Sequence, residues 1–160
     1  MKNIFFSWQS DLDSKTHRNF IEKCIKKSLK ALNKVDELHV FLEYDRDTLG
    51  LLGSPDISIS IFEKIDKCAL FIADISNITS TDKRTIPNPN VLIELGYAIN
   101  ILGWDRIICF FDITTGNVEI YLLIFVKNVY YHIIPLKKMK KRESFLFFAK
   151  IFWPYIVKVN

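Results

Sequence analysis

The sequence predicts an α/β fold: an open parallel sheet of about five strands with helices on both faces. Apolar runs and amphipathic stretches alternate as strand, helix, strand, helix, strand, helix, strand, the order expected when helices cross between parallel strands. The run Cys68 to Ile75 (CALFIADI) is apolar until Asp74, as a central strand buried on both faces requires. Polar clusters stand where the strands end, the edge at which open sheets of this kind hold ligands.

The first strand is predicted at Asn3 to Phe6, followed by the polar loop Ser7-Trp8-Gln9-Ser10-Asp11. Thr16 to Leu32 places Phe20, Ile21, Ile25, Leu29 and Leu32 at helical spacing with lysines between them, an amphipathic helix. Leu38 to Leu42 reads as the second strand, and Tyr44-Asp45-Arg46-Asp47-Thr48 as a charged loop after it. Ser54-Pro55-Asp56 is a helix start with Pro55 at the first position, where its missing N–H costs nothing. After the third strand, Ser76 to Arg84 reads as a polar loop. It leads to a helix capped by Asn88, opened by Pro89 and striped by Leu92, Leu95, Ile99 and Leu102. Arg106 to Phe111 is the fourth strand.

Composition narrows the function classes. The 160 residues are one domain's worth, with 49% hydrophobic and 25% charged residues. The start, MKNIFFSW, passes directly into polar sequence, unlike a secretory signal, and no apolar run approaches the roughly 20 residues of a membrane span. A cytoplasmic protein is expected, with membrane association unlikely on these grounds. Cys24, Cys68 and Cys109 stand apart in apolar contexts and His17, His39 and His132 are isolated, so buried reduced thiols are expected and no metal site. The net charge of +4 is a property of the tail. Residues 1–112 hold 14 Lys and Arg against 16 Asp and Glu, and residues 113–160 hold 8 against 2. No basic face on the body is expected, and therefore no nucleic-acid partner.

Glu94 is an acid inside an otherwise uncharged helical segment, IPNPNVLIELGYA. It reads either as a glutamate favoured by the helix dipole, worth roughly 0.3 to 1 kcal/mol, or as a carboxylate at a pocket mouth. Asn90 lies one turn before it. The loops at Ser7, Trp8 and Gln9 and at Asp45 and Arg46, together with Asp74, fall on the same sheet edge. Each has an ordinary reading as turn, packing, ion pair or cap, but their joint position favours a shared site.

FFSWQSD, YDRDTLG followed by GSPDI, FIADIS and above all NPNVLIELGYA resemble bacterial TIR-like domains. These are flavodoxin-like nucleotide-binding modules that hydrolyse or cyclise NAD in anti-phage defence. The resemblance covers roughly residues 3 to 112 and implies a TIR-like nucleotide-binding domain over residues 1–112. It implies that Glu94 is catalytic, that Ser7, Trp8, Gln9, Asp45, Arg46, Asp74 and Asn90 shape the substrate pocket, and that NAD is substrate with no cofactor. It also implies a homo-oligomer or a sensor protein as partner. Cleaving the bond between ribose and nicotinamide builds positive charge on the sugar, which a carboxylate near C1′ can stabilise or trap. Two other readings stand beside it: a nucleoside deoxyribosyltransferase-like enzyme with a similar sheet and helix-borne glutamate, and a non-catalytic nucleotide-binding or assembly module.

Residues 113–160 depart from the family's pattern. One back-translation of Ile120 to Val126, read two nucleotides later, gives LPFDIR, a segment resembling one the family carries. The stretch reads either as a frameshifted C-terminus or as a fifth strand around Ile120 to Val126 followed by a basic helix containing Phe145 to Phe152, packed on or extending the same domain.

Overall fold

Strand β1 (Lys2–Ser7) lies inside the sheet and organises what surrounds it. In the computed structural model, which describes residues 2–32, 34, 42–46, 57–80, 85–116 and 133–135, β1 pairs in parallel with β2 (Leu42–Arg46) on one side and β3 (Cys68–Asp74) on the other. A short antiparallel hairpin, β4 (Asn77–Ser80) and β5 (Thr85–Pro87), follows β3. Strands β6 (Ile107–Phe111) and β7 (Ile133–Pro135) complete a five-stranded parallel sheet in the order β2-β1-β3-β6-β7. Within that sheet the order is the flavodoxin-like one, and the direction of winding reverses between β1 and β3.

The side-chain alternation of each strand explains the layers. Ile4 and Phe6 of β1, Leu70 and Ile72 of β3, and Ile108 and Phe110 of β6 pack on one face with Ile21, Cys24, Ile25, Leu29 and Leu32 of α1 (Arg18–Leu32). Phe5, Phe71, Ala73, Ile107, Cys109 and Phe111 fill the other face with α2 (Ile57–Lys67) and α3 (Pro89–Leu102). Phe5 and Phe71 are partners across the β1–β3 ladder, and their rings stack at 5.8 Å. Each such buried aromatic or branched side chain contributes roughly 1.5 to 3 kcal/mol. The three cysteines are free and buried, and burial pushes the Cys68 and Cys109 thiols up to about 12.

Four expectations are corrected. Tyr44, Asp45 and Arg46 are not loop residues; they form the end of β2, opposite Ile4, Phe5 and Phe6, because edge-strand pairing with β1 tolerates charged side chains. The segment after β3 is not all loop, since Asn77–Ser80 pairs with Thr85–Pro87. The buried stripe of α3 is Val91, Leu95, Ala98 and Leu102, whereas Leu92 is 37% exposed. Both stripes satisfy helical spacing, and α3 is so generally apolar that periodicity does not choose between them. Finally, Ile133–Pro135 supplies the strand beside β6. The strand expected at Ile120 to Val126, the helix at Phe145 to Phe152, the second strand's start at Leu38 and the helix start at Ser54-Pro55-Asp56 lie outside the described residues. No described helix is long and apolar enough to cross a membrane.

Candidate active site

The winding reverses where β1 ends at Ser7 and β3 ends at Asp74, with Ser7 in register with Ala73. By strand alternation Ser7 follows Phe5 toward the α2/α3 face, and Asp74 follows Ile72 toward the α1 face. Asp74 is 1% exposed. Its Oδ1 accepts hydrogen bonds from the Ser76 backbone N–H (3.1 Å) and hydroxyl (2.6 Å). Its Oδ2 is buried and meets no hydrogen-bond donor among the described residues. Burial pushes the Asp74 carboxyl above its ordinary range, while the Ser76 bonds, the charge of His17 and the Gln9 amide pull the other way.

Asp112, just past β6, joins this cluster. Its backbone N–H donates to Ser76 Oγ (2.9 Å), and its Oδ1 accepts from the N–H and hydroxyl of Thr114 (2.9 and 2.8 Å). Its Oδ2 faces His17 Nε2 at 3.6 Å. Ser76 therefore ties the ends of β3 and β6 together, and His17 closes the cluster from the start of α1.

The loop after β1 lies against these groups. Gln9 Oε1 accepts from the N–H groups of Asp11 (2.8 Å) and Leu12 (3.0 Å), shaping the loop. Gln9 Nε2 is buried without a hydrogen-bond partner, although it is near enough to Asp74 to favour its charged form. Trp8 packs against the α1 side of the core, with the Arg18 guanidinium 3.7 Å from its ring centre.

Helix α3 reaches the same edge. Asn88 Oδ1 accepts from the N–H groups of Asn90 (2.8 Å) and Val91 (3.4 Å), the cap expected from the sequence. Its Nδ2 donates to Asp11 Oδ2 at 2.7 Å, joining the helix tip to the loop after β1. Glu94 is half-buried in the second turn, flanking the stripe of Val91, Leu95 and Ala98. The hairpin is tied to the turn after β6. Asn77 donates through its backbone N–H to Thr115 Oγ1 (3.1 Å) and through Nδ2 to the Thr115 carbonyl (3.0 Å). Gly116 has φ +138°, and a Cβ there would lie 2.8 Å from Asn77 Nδ2, so the close approach requires glycine.

The structure thus brings Ser7, Gln9 and Asp74 to the switch point, fully or almost fully buried, with Trp8 beside them under Arg18. Asn90 is exposed at the tip of α3, one turn before Glu94. Asp45 and Arg46 close β2 at the same edge; their side chains lie outside the described residues. Sequence reasoning missed His17, Ser76 and Asp112. A usable signal existed for Asp112, which follows a strand as Asp74 does, but none marked His17. Among the described residues no three His, Cys, Asp or Glu side chains converge as a metal site.

No protein-family model and no curated protein matches the sequence. Among solved structures, the chain is similar to the CMP N-glycosidase BcmB of Clostridium botulinum, with TM-score 0.53 and 18% identity over 94% of this chain and 99% of that one. A 2-desoxiribosyltransferase from Leishmania mexicana also matches, with TM-score 0.42 and 20% identity over 69% of this chain. The chain spans 65% of that protein's length. The α/β fold is shared with the CMP N-glycosidase.

Proposed function

We propose that this chain cleaves the N-glycosidic bond of a nucleoside or nucleotide, with Glu94 as the carboxylate at C1′ and Asp74 as the acid that protonates the departing base. The observation that carries the reading is Asp74: a buried carboxyl at the switch point whose Oδ2 has no hydrogen-bond partner and whose proton affinity burial raises. A fold in common with a CMP N-glycosidase supports the same class of bond.

Leaving-group chemistry decides between the substrates. Nicotinamide departs from NAD as a neutral ring and needs no acid. An ordinary purine or pyrimidine departs as an anion unless a proton arrives as the bond breaks, and general acid catalysis of that kind contributes about 10² to 10⁴-fold. A buried Asp74 whose proton affinity is raised by burial is useful to the second substrate and not to the first. NAD cleavage by a TIR-like domain in anti-phage defence, which the motif around Glu94 suggests, is therefore the second reading.

In the proposed reaction the C1′–N bond breaks and its electron pair passes to the base nitrogen, which takes the Asp74 proton. Glu94 stabilises or captures the sugar cation. Water then gives its hydroxyl to C1′ and its proton to Asp74, restoring both carboxyls; a second base in place of water gives transfer.

Purified protein incubated with CMP, deoxynucleosides and NAD, with free base and nicotinamide followed by chromatography, tests this. The expected result is base release from a nucleoside or nucleotide, reduced on the order of 10³-fold in Glu94→Gln. Equal release by both proteins, or consumption of NAD alone, overturns it.

A further inference from the structure

We infer that Arg18, held over the Trp8 ring, receives the 5′-phosphate of the substrate, so that the chain acts on nucleoside monophosphates in preference to nucleosides. The inference rests on the proposed cleavage of a nucleoside or nucleotide, and it narrows that substrate class to the phosphorylated member.

Arg18 opens α1, and Trp8 follows Ser7, the last residue of β1. The pair therefore stands on the carboxyl edge of the sheet, where Asp74 ends β3. Contacts on either side tie it to the reacting groups. His17, the residue before Arg18, faces Asp112 Oδ2 at 3.6 Å, and the Asp112 N–H donates to the Ser76 hydroxyl that in turn donates to Asp74. Asp11, from the loop that holds Trp8, accepts at 2.7 Å from Asn88 at the tip of the helix that carries Glu94.

Arg18 is a positioned cation with its donors unengaged. Its guanidinium carbon lies 3.7 Å from the Trp8 ring centre, and Trp8 packs on the α1 side of the core, so the ring fixes where the charge sits. Stacking uses the face of a guanidinium and leaves its edge, with five N–H donors, for hydrogen bonding. Arg18 is half-buried, and its Nε is buried without a hydrogen-bond partner. The two acids of its own loop are turned elsewhere, Asp11 Oδ2 to Asn88 and Asp13 Oδ1 to the Lys15 N–H. The ion pairs among the described residues join His17 to Asp112, Lys26 to Glu22 and Lys67 to Glu63, and none includes Arg18. An arginine left without a carboxylate, on an edge that carries several, is placed for an anion that the ligand brings. In a nucleoside monophosphate that anion is the phosphate, whose oxygens match the paired N–H groups of a guanidinium. Holding the phosphate away from the cleaved bond also orients C1′ for reaction.

The test titrates wild type, Arg18→Gln and Arg18→Met with ribose 5-phosphate and with ribose, followed by calorimetry. Neither probe carries a base, so binding is read whether or not a glycosidic bond is cleaved. Two variants are made so that loss of folding in one leaves the measurement intact. The expected result is that wild type binds ribose 5-phosphate about tenfold or more tightly than ribose, and that the folded variants lose this preference. No preference in wild type, or an undiminished one in a folded variant, overturns the inference. The kcat/KM ratio of CMP to cytidine should likewise fall about tenfold or more in the variants. A parallel loss for both substrates marks a structural role for Arg18 and overturns it. Absence of base release by wild type defeats the proposed function, while the ribose 5-phosphate titration still decides the phosphate site.

Discussion

Asp74 carries the clearest single-residue consequence. Its folded-state proton affinity is raised by burial, so the native state holds a proton that the unfolded chain has already lost at the same pH. The sign follows: Asp74 weakens the fold as pH rises from its ordinary value of 3.8 through the higher folded value, and the penalty is complete above it. Asp74→Asn, neutral at every pH, should raise the melting temperature at neutral pH, with the gain vanishing near pH 3; thermal denaturation across that range checks it. Asp74, Ser7 and Gln9 were legible in the sequence because each stands at or just beyond a strand's carboxyl end. His17 was not, because its meaning depends on Asp112, brought to it only when β6 docks beside β3. No local pattern around a histidine before a helix encodes that contact.

At the scale of the element, α3 shows how much chain-local chemistry can reveal. Asn88 and Pro89 announced the start of the helix, and the cap forms as they require. Which side of the helix is buried was not legible, since Leu92, Ile93, Leu95, Ile99 and Leu102 leave little polar contrast. The choice is made by the small, fully buried Ala98, which lets the helix lie close to the sheet. Asn88→Ala should cost about 1 kcal/mol through the lost cap. The bond to Asp11 can be separated from the cap. Asn88→Asp retains the accepting oxygen but faces Asp11 with a like charge, and adding Asp11→Asn restores a donor with the polarity reversed. Amide exchange in residues 88–94 should accelerate in Asn88→Asp and recover in the double variant. Asp45 and Arg46 illustrate the opposite failure. Charged residues looked like loop, yet pairing with β1 holds their backbone in a strand.

For the molecule as a whole, alternation of apolar runs and amphipathic segments was enough to expect a parallel sheet with helices on both faces. Strand order was not, because hydrophobic periodicity says which face a residue occupies and nothing about which strand lies beside it. The layers make a simple prediction about the thiols. Cys24, Cys68 and Cys109 are buried in the two cores on opposite sides of the sheet, and burial keeps Cys68 and Cys109 protonated. A thiol reagent at pH 8 should label none of them in the native protein and all three in denaturant; rapid native labelling would contradict the packing. The interior position of β1 has a consequence in time. It is made before both of its neighbours, and β3 is not complete until Asp74 has been added. At about 5 to 20 residues per second, a ribosome leaves β1 without its second partner for roughly 3 to 13 s. Throughout that interval Ile4, Phe5 and Phe6, fully buried in the finished sheet, are a bare adhesive segment on the nascent chain. Chaperone capture during synthesis should therefore centre on the first strand made.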